Sequence, residues 1–309
     1  MAKPVYVFSG FLDSGKTTAI KDILSDRNFN EGEKNLIIAL EQGDEEYDQE
    51  FCTDYKCDVV YYSGLSELTK EEMKKLDFIY KPDRIIVELN GMENDNDFYN
   101  MDLYKPWVIV QALTFFDGSN LRLYMNNMKQ FVYNHVIHAE AIYINRCKRE
   151  DVLFYRNNMK AINPRVQIVF MDENGDMIND IQQQLFDTSK PLKVEDEDYG
   201  LWYLDAIENP QRYDEKQITL KLQYVMAVPE YEDVCIMGRK AMVCCANDTQ
   251  DAALTCVGID PAKMKKDQYY YLSGIIHTLE DEEGYDTCVL YVGDIKEAEK
   301  PKEEFVSFS

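Results

Sequence analysis

The chain has 309 residues, 45% of them hydrophobic and 29% charged, which is enough for two domains and a sizeable core. Its net charge of −24 argues against a nucleic-acid partner, because a phosphate backbone is repelled except at a local basic patch, and no such patch is visible. No run approaches the ~18 apolar residues of a membrane span, and the N-terminus lacks the pattern of a secretory signal, so a cytoplasmic protein without membrane insertion is expected.

The first apolar run, Val5–Phe8, reads as a strand. It leads into Gly10-Phe-Leu-Asp-Ser-Gly15-Lys16-Thr17, whose spacing is that of a phosphate-binding loop, and then into a helix at 17–26 with Ala19, Ile20, Ile23 and Leu24 at helical spacing. Loop N–H groups at a helix start can wrap phosphates, Lys16 can reach the β/γ-phosphates, and the Thr17 hydroxyl can bind Mg²⁺. Gly10, Asp13, Ser14, Gly15, Lys16, Thr17 and Thr18 are therefore the candidate phosphate-binding residues, with Lys16 expected to be exposed before nucleotide arrives. Asp13 stands where glycine is common, and aspartate tolerates left-handed backbone better than most residues.

Further strands are predicted at Leu36–Leu40, Val59–Tyr62, Ile85–Glu88, Val108–Gln111, Ala141–Asn145 and Val166–Phe170, and helices at 69–80, 119–136 and 149–161. This alternation indicates an α/β fold with a mostly parallel sheet flanked by helices. Glu41 opens an acidic loop, 41–48, on the ligand side of such a sheet. Glu88 and Gly91 close a strand with an acid and a glycine, which can place a carboxylate near Mg²⁺ and a backbone N–H near a terminal phosphate. Asn145 and Arg146 sit where a base would be read. Lys148 stands where a guanine-binding loop carries an acceptor, and an ammonium has only donors.

The texture changes after Gln182. Residues 187–200 are polar and acidic, as a linker would be, and β-rich runs follow at Ile218–Val228, Lys240–Ala246, Tyr269–His277 and Thr287–Val292. The expected organisation is a nucleotide-binding domain at 1–186, a linker at 187–200 and a smaller all-β domain at 201–309. Eight cysteines beside an intracellular nucleotide motif read as reduced thiols. Cys244, Cys245 and Cys256 are candidates for a second, thiolate-bound metal such as Zn²⁺, with core packing as the other reading; Cys52 and Cys57 offer two sulfurs and an incomplete site. His135 and His138 are three apart, near a helix end, and form no catalytic set with His277.

Taken together, Gly10-Phe-Leu-Asp-Ser-Gly15-Lys16-Thr17-Thr18, Glu88-Leu-Asn-Gly91 and Ile144-Asn145-Arg146-Cys147 resemble, in that order and rough spacing, the CobW-like branch of the CobW/HypB/UreG P-loop GTPases, over residues 3–185. The resemblance implies a Mg²⁺-dependent hydrolase of GTP or ATP that acts as a slow switch in metal delivery or in maturation of a cofactor or metalloprotein. It makes Lys16, Glu88 and Glu41 the catalytic candidates and Thr17 and Glu88 the Mg²⁺ ligands, and it puts Asn145 and Arg146 against the base. The Cys-x-Cys-Cys motif that this branch carries after its third strand is absent from residues 59–65, so zinc binding of that kind is not expected there. Residues 200–305 loosely resemble OB-like β-barrels and a bacterial permease-associated family. A metalloprotein client, a permease-associated partner and a homodimer stay open as partners. The alternative function is a nucleotide- or metal-sensing binding protein that does not hydrolyse; a small-molecule kinase would need an arginine-bearing lid that the first domain lacks.

Overall fold

The structure, a computed structural model, describes residues 2–179, 186–245, 248–281 and 284–308, without the side chains of 242–245 and 248. The chain divides into two compact units, one of residues 1–156 and 165–181 and one of 157–164 and 182–309.

The first unit runs β1 (Lys3–Ser9), α1 (Lys16–Ser25), β2 (Asn35–Ala39), α2 (Gln49–Asp54), β3 (Cys57–Tyr61), α3 (Lys70–Tyr80), β4 (Arg84–Glu88), α4 (Asp95–Tyr99), β5 (Trp107–Asp117), α5 (Gly118–Asn127), α6 (Lys129–Ile137), β6 (Ala141–Asn145), α7 (Val152–Ile162) and β7 (Gln167–Phe170). The boundary with the second unit falls within α7. Among the described residues the strands form one seven-stranded sheet in the order β3-β2-β4-β1-β5-β6-β7, with every recorded pairing parallel. Parallel sheets need cover on both faces, and the middles of the central strands are accordingly apolar, with polar residues at their ends. Leu36, Ile38, Ile85 and Val87 join one core with Met73 and Leu76 of α3, while Ile37 and Ile86 join another with Ile20 and Leu24 of α1. Fully burying Ile20 or Leu24 contributes roughly 1.5–3 kcal/mol each.

Local chemistry sets the helix ends. Thr69 caps α3 by accepting from the Glu72 N–H at 3.2 Å, while the Glu72 carboxylate goes to Lys75 and Tyr62 instead of returning to the cap. The single helix expected at 119–136 is two helices, broken at Met128 (φ −133°, ψ 40°). Asn127 bonds back to the Leu123 carbonyl at 2.9 Å, the kind of side-chain competition that ends helices. The strand expected to stop at Gln111 continues to Asp117, because Leu113, Phe115 and Phe116 extend its buried run.

The second unit runs β8 (Leu192–Lys193), α8 (Tyr199–Glu208), β9 (Gln217–Ala227), β10 (Val234–Cys245), β11 (Asp248–Val257), β12 (Tyr269–Glu280) and β13 (Asp286–Ala298). The strands close as β9-β10-β11-β13-β12-β9, with β11–β13 parallel and the other ring pairings antiparallel. This is a five-stranded barrel of OB-like strand order, as expected from the sequence, and β8 adds beside β9. Residues 187–200, linker-like in composition, carry β8 and the start of α8; Val194 and Tyr199 are buried in the barrel core with Trp202. Polar composition describes most of this segment, and a few buried residues, Val194 and Tyr199 among them, anchor it.

Candidate functional site

The loop after β1 lies at the C-terminal edge of the sheet, between the ends of β4 and β5, where connections leave the sheet in opposite directions. Such a switch point is where open α/β sheets hold ligands. Gly10 (φ 125°) is forced: a Cβ there would lie 2.0 Å from the Phe115 carbonyl oxygen. Asp13 takes the left-handed conformation (φ 57°), as its tolerance for that region allows, and Gly15 caps α1. Ser14 is buried and its hydroxyl has no partner among the described residues; Thr18 lies exposed in the first turn of α1.

Lys16 is not exposed, contrary to expectation: only 3% of its surface reaches solvent. Its ammonium donates to the Gly10 and Phe11 carbonyls at 2.7 and 2.9 Å and forms an ion pair with Glu41. An ammonium has three protons, and this set uses all of them. The other Glu41 oxygen accepts the Gly91 N–H at 3.0 Å. Two donors from separate loops, Lys16 and Gly91, thus converge on one carboxylate.

Beside this pair, the Thr17 hydroxyl donates to Glu88 Oε1 at 2.6 Å and the Tyr47 phenol donates to Glu88 Oε2 at 2.7 Å. Burial pushes the Glu88 carboxyl above the usual range; the hydrogen bonds from Thr17 and Tyr47 and the Lys16 charge pull the other way and are outweighed. Burial and then Glu88 push the Tyr47 phenol well up, so it stays a donor. Thr17 and Glu88 bring a hydroxyl and a carboxylate into contact. Both are hard oxygen ligands, and the set fits Mg²⁺ better than a thiolate-seeking metal.

At the end of β6, Asn145 Nδ2 donates to the Ser14 carbonyl at 2.7 Å and ties that strand to the loop after β1. Its Oδ1 is buried without a partner among the described residues. Arg146 (φ 48°) reaches the Asp13 carbonyl and Asp117 Oδ2, each at 3.0 Å. Burial raises Asp117, but hydrogen bonds from Arg146 and Ser119 outweigh it and leave the carboxyl below its ordinary range. Lys148 is exposed two residues on.

Sequence reasoning missed Tyr47, Asp117, Ser9 and Asp95. Asp117 had a readable signal, an acid ending an apolar run, hidden by placing the strand end too early. His135 and His138 share no site. His138 stacks on Tyr99 at 4.2 Å and meets Asn96 Oδ1 at 2.6 Å, whereas His135 is buried with Ser9 and Asp95.

The proposed thiolates are less united. Cys256 is buried opposite Cys235 across β10 and β11, and burial pushes its thiol well up. The β10–β11 register shifts between Met242 and Cys245, and the side chains of Cys244 and Cys245 lie outside the described residues. Cys57 is pushed up to about 12, mainly by burial. Among the described residues no group of three or more His, Cys, Asp or Glu is placed to hold a metal ion.

A family model described as the CobW/HypB/UreG nucleotide-binding domain matches residues 4–170, and one described as the DUF1980 C-terminal domain matches residues 171–307. No curated protein matches. Solved structures similar to the chain include the hydrogenase maturation factor HypB from Archaeoglobus fulgidus, at 18% identity, covering 57% of this chain and 84% of that one with a TM-score of 0.41. The signal recognition particle receptor FtsY from Elizabethkingia anophelis is similar at 13% identity, with 58% and 63% covered and a TM-score of 0.37. Its complex with GDP gives 14% identity, 67% and 63% covered, and a TM-score of 0.38.

Proposed function

The chain belongs to the CobW/HypB/UreG family of nucleotide-binding proteins, and we propose from this that it is a Mg²⁺-dependent nucleoside triphosphatase, preferring GTP, that works as a slow switch. The observation that carries the reading is the convergence of Lys16 Nζ and the Gly91 N–H on one carboxylate beside the Thr17–Glu88 pair. A phosphate offers the same charge and acceptor oxygens, and it can take over both donors as Glu41 withdraws.

In this reading the loop amides and Lys16 hold the phosphates, and Asn145 and Arg146 face the base. Thr17 and Glu88 would hold Mg²⁺, which when bound neutralises charge on the phosphate oxygens. Catalysis is positioning and charge stabilisation, with water as nucleophile. Glu41, once released from Lys16, and Glu88 are the candidates to orient that water. The family membership supports a role in metal delivery or metalloprotein maturation. Any soft metal would need thiolates such as Cys244 or Cys245 with Cys256, since the acidic loop 41–48 offers only oxygens.

A second reading rests on the same carboxylate. Because Glu41 occupies both donors in the resting protein, the chain can act as a sensor that binds nucleotide and scarcely turns it over. Product analysis with GTP and ATP decides. Free phosphate supports the switch, binding without turnover supports the sensor, and a phosphorylated acceptor would replace both with a kinase. Zinc titration against a chromophoric chelator, on wild type and on Cys256→Ser, tests the metal role; tight zinc unaffected by the substitution removes Cys256 from it.

A further inference from the structure

Beneath the phosphate loop lies a buried polar cluster that the chemistry above does not use. Ser9, Asp95 and His135 are each at most 2% exposed. The Ser9 hydroxyl donates to Asp95 Oδ2, His135 Nδ1 lies 3.0 Å from that same oxygen and 2.9 Å from Ser9 Oγ, and His135 Nε2 lies 3.2 Å from the Gly91 carbonyl oxygen. The order superficially suits a hydrolytic triad. The serine proton, however, is directed to the aspartate, and all three groups are sealed from solvent, so no substrate carbonyl can reach Ser9.

The protons can be placed by elimination. A carbonyl oxygen only accepts, so Nε2 must carry the proton of its bond to Gly91. Nε2–H therefore points at Gly91, while Nδ1 faces Ser9 and Asp95. The Phe11 ring packs edge-on against the imidazole at 4.9 Å and limits its rotation.

Gly91 is where this matters. Its N–H is one of the two donors that converge on the Glu41 carboxylate. A Cβ at residue 91 would lie 2.5 Å from the Gly10 carbonyl oxygen, so only glycine fits against the loop. Glycine has the softest backbone of any residue, and nothing on residue 91 itself fixes the direction of its N–H. Its N–H shares a peptide plane with the Asn90 carbonyl, which accepts from the Glu93 N–H at 3.0 Å, and the bond from His135 fixes the next plane, so both sides of the glycine Cα are held.

We propose that His135, backed by Asp95 and Ser9, is a positioning residue for the terminal phosphate: it holds the Gly91 carbonyl so that the Gly91 N–H is aimed at the anion that Lys16 binds. The inference rests on the nucleotide reading above and adds a selectivity to it. Lys16 and the loop amides serve diphosphate and triphosphate alike, whereas Gly91 serves only the terminal group. The three-residue cluster is thus a device for telling GTP from GDP.

The test is calorimetric titration of the full chain with GDP and with a non-hydrolysable GTP analogue, both with Mg²⁺. The variants are His135→Leu, His135→Gln and Asp95→Asn, each checked by thermal unfolding. His135→Leu should weaken the GTP analogue about 10-fold, the worth of one well-aimed hydrogen bond, and change GDP less than about 2-fold. His135→Gln, whose amide can still donate to the Gly91 carbonyl, should recover most of the loss, and Asp95→Asn should fall between them. Equal weakening of both nucleotides, or a Gln variant no better than Leu, would mean that the histidine only packs the core, and would overturn the proposal. If His135→Leu does not fold, the Gln and Asn variants decide by the same ratio. A wild type that binds neither nucleotide would overturn the nucleotide reading, and this inference with it. That result is distinct from a wild type that binds both while its variants keep the same ratio.

Discussion

Each unit buries a carboxylate against a cation, and the two pairs are built differently. In the barrel, Asp205 accepts from Arg212, from the Tyr213 hydroxyl and from Asn209 Nδ2. All these donors come from α8 or the turn just after it, so the set locks a local corner, and burial followed by the Asp205 hydrogen bond pushes the Tyr213 phenol up. At the sheet edge, Lys16 opens α1 behind the loop after β1 and Glu41 lies in the loop after β2; Lys16 also holds carbonyls of its own loop, and Glu41 also holds the Gly91 N–H after β4. The difference follows from architecture. A parallel sheet delivers its strand ends, and the loops behind them, to one edge where groups can exchange partners with a ligand. A closed barrel fills its interior, and Asp205 beside it finds its partners within a few residues of chain.

The largest test of this contrast is Lys16→Ala. Glu41 would be left buried without its cation, at about 3–5 kcal/mol in stability, and triphosphate affinity should fall at least ~100-fold. Adding Glu41→Gln should restore the stability and not the affinity, measured by denaturant unfolding and calorimetry. A double variant that binds GTP as well as wild type would mean that the edge pair is as purely structural as its counterpart in the barrel. Asp205→Ala should cost about 2 kcal/mol, less than Lys16→Ala because Arg212 keeps some access to water, and should leave nucleotide affinity untouched. A loss of affinity at equal folded fraction would erase the contrast.

Smaller changes sharpen it. Lys148→Asp, which adds an acceptor on the base side, should raise GTP preference over ATP about tenfold in competition binding; no change would place base reading elsewhere. Glu88→Gln should abolish Mg²⁺-dependent tightening of nucleotide binding while raising the melting temperature of the nucleotide-free protein, on the order of a few degrees. Because burial holds the Glu88 carboxyl above its ordinary range, folding favours the protonated form. Its contribution is therefore fully present below the ordinary glutamate value of about 4.3 and is lost as pH rises through the raised folded value. The stabilisation by Gln should be greatest at neutral pH and fade as pH falls through that window. A gain independent of pH would mean that the buried charge is not its source.

Much of this molecule is legible in the linear chain. The phosphate loop, the Glu88–Gly91 turn and the Asn145–Arg146 pair are short motifs whose chemistry needs neighbours within a few residues, and the α/β alternation follows from apolar spacing. The OB-like order of the barrel strands was legible only loosely, because β11 opens on four polar residues, Asp248-Thr-Gln-Asp251, that apolar periodicity does not single out. What tertiary structure alone decided is which distant groups meet. Ser9 finds His135 across 126 residues, Tyr47 finds Glu88 across 41, and Glu41 closes on Lys16, burying the lysine that the motif by itself would leave exposed. Those meetings depend on β1 lying between β4 and β5. Strand order is set by the summed burial of both faces of the sheet, and no local window of sequence contains that sum.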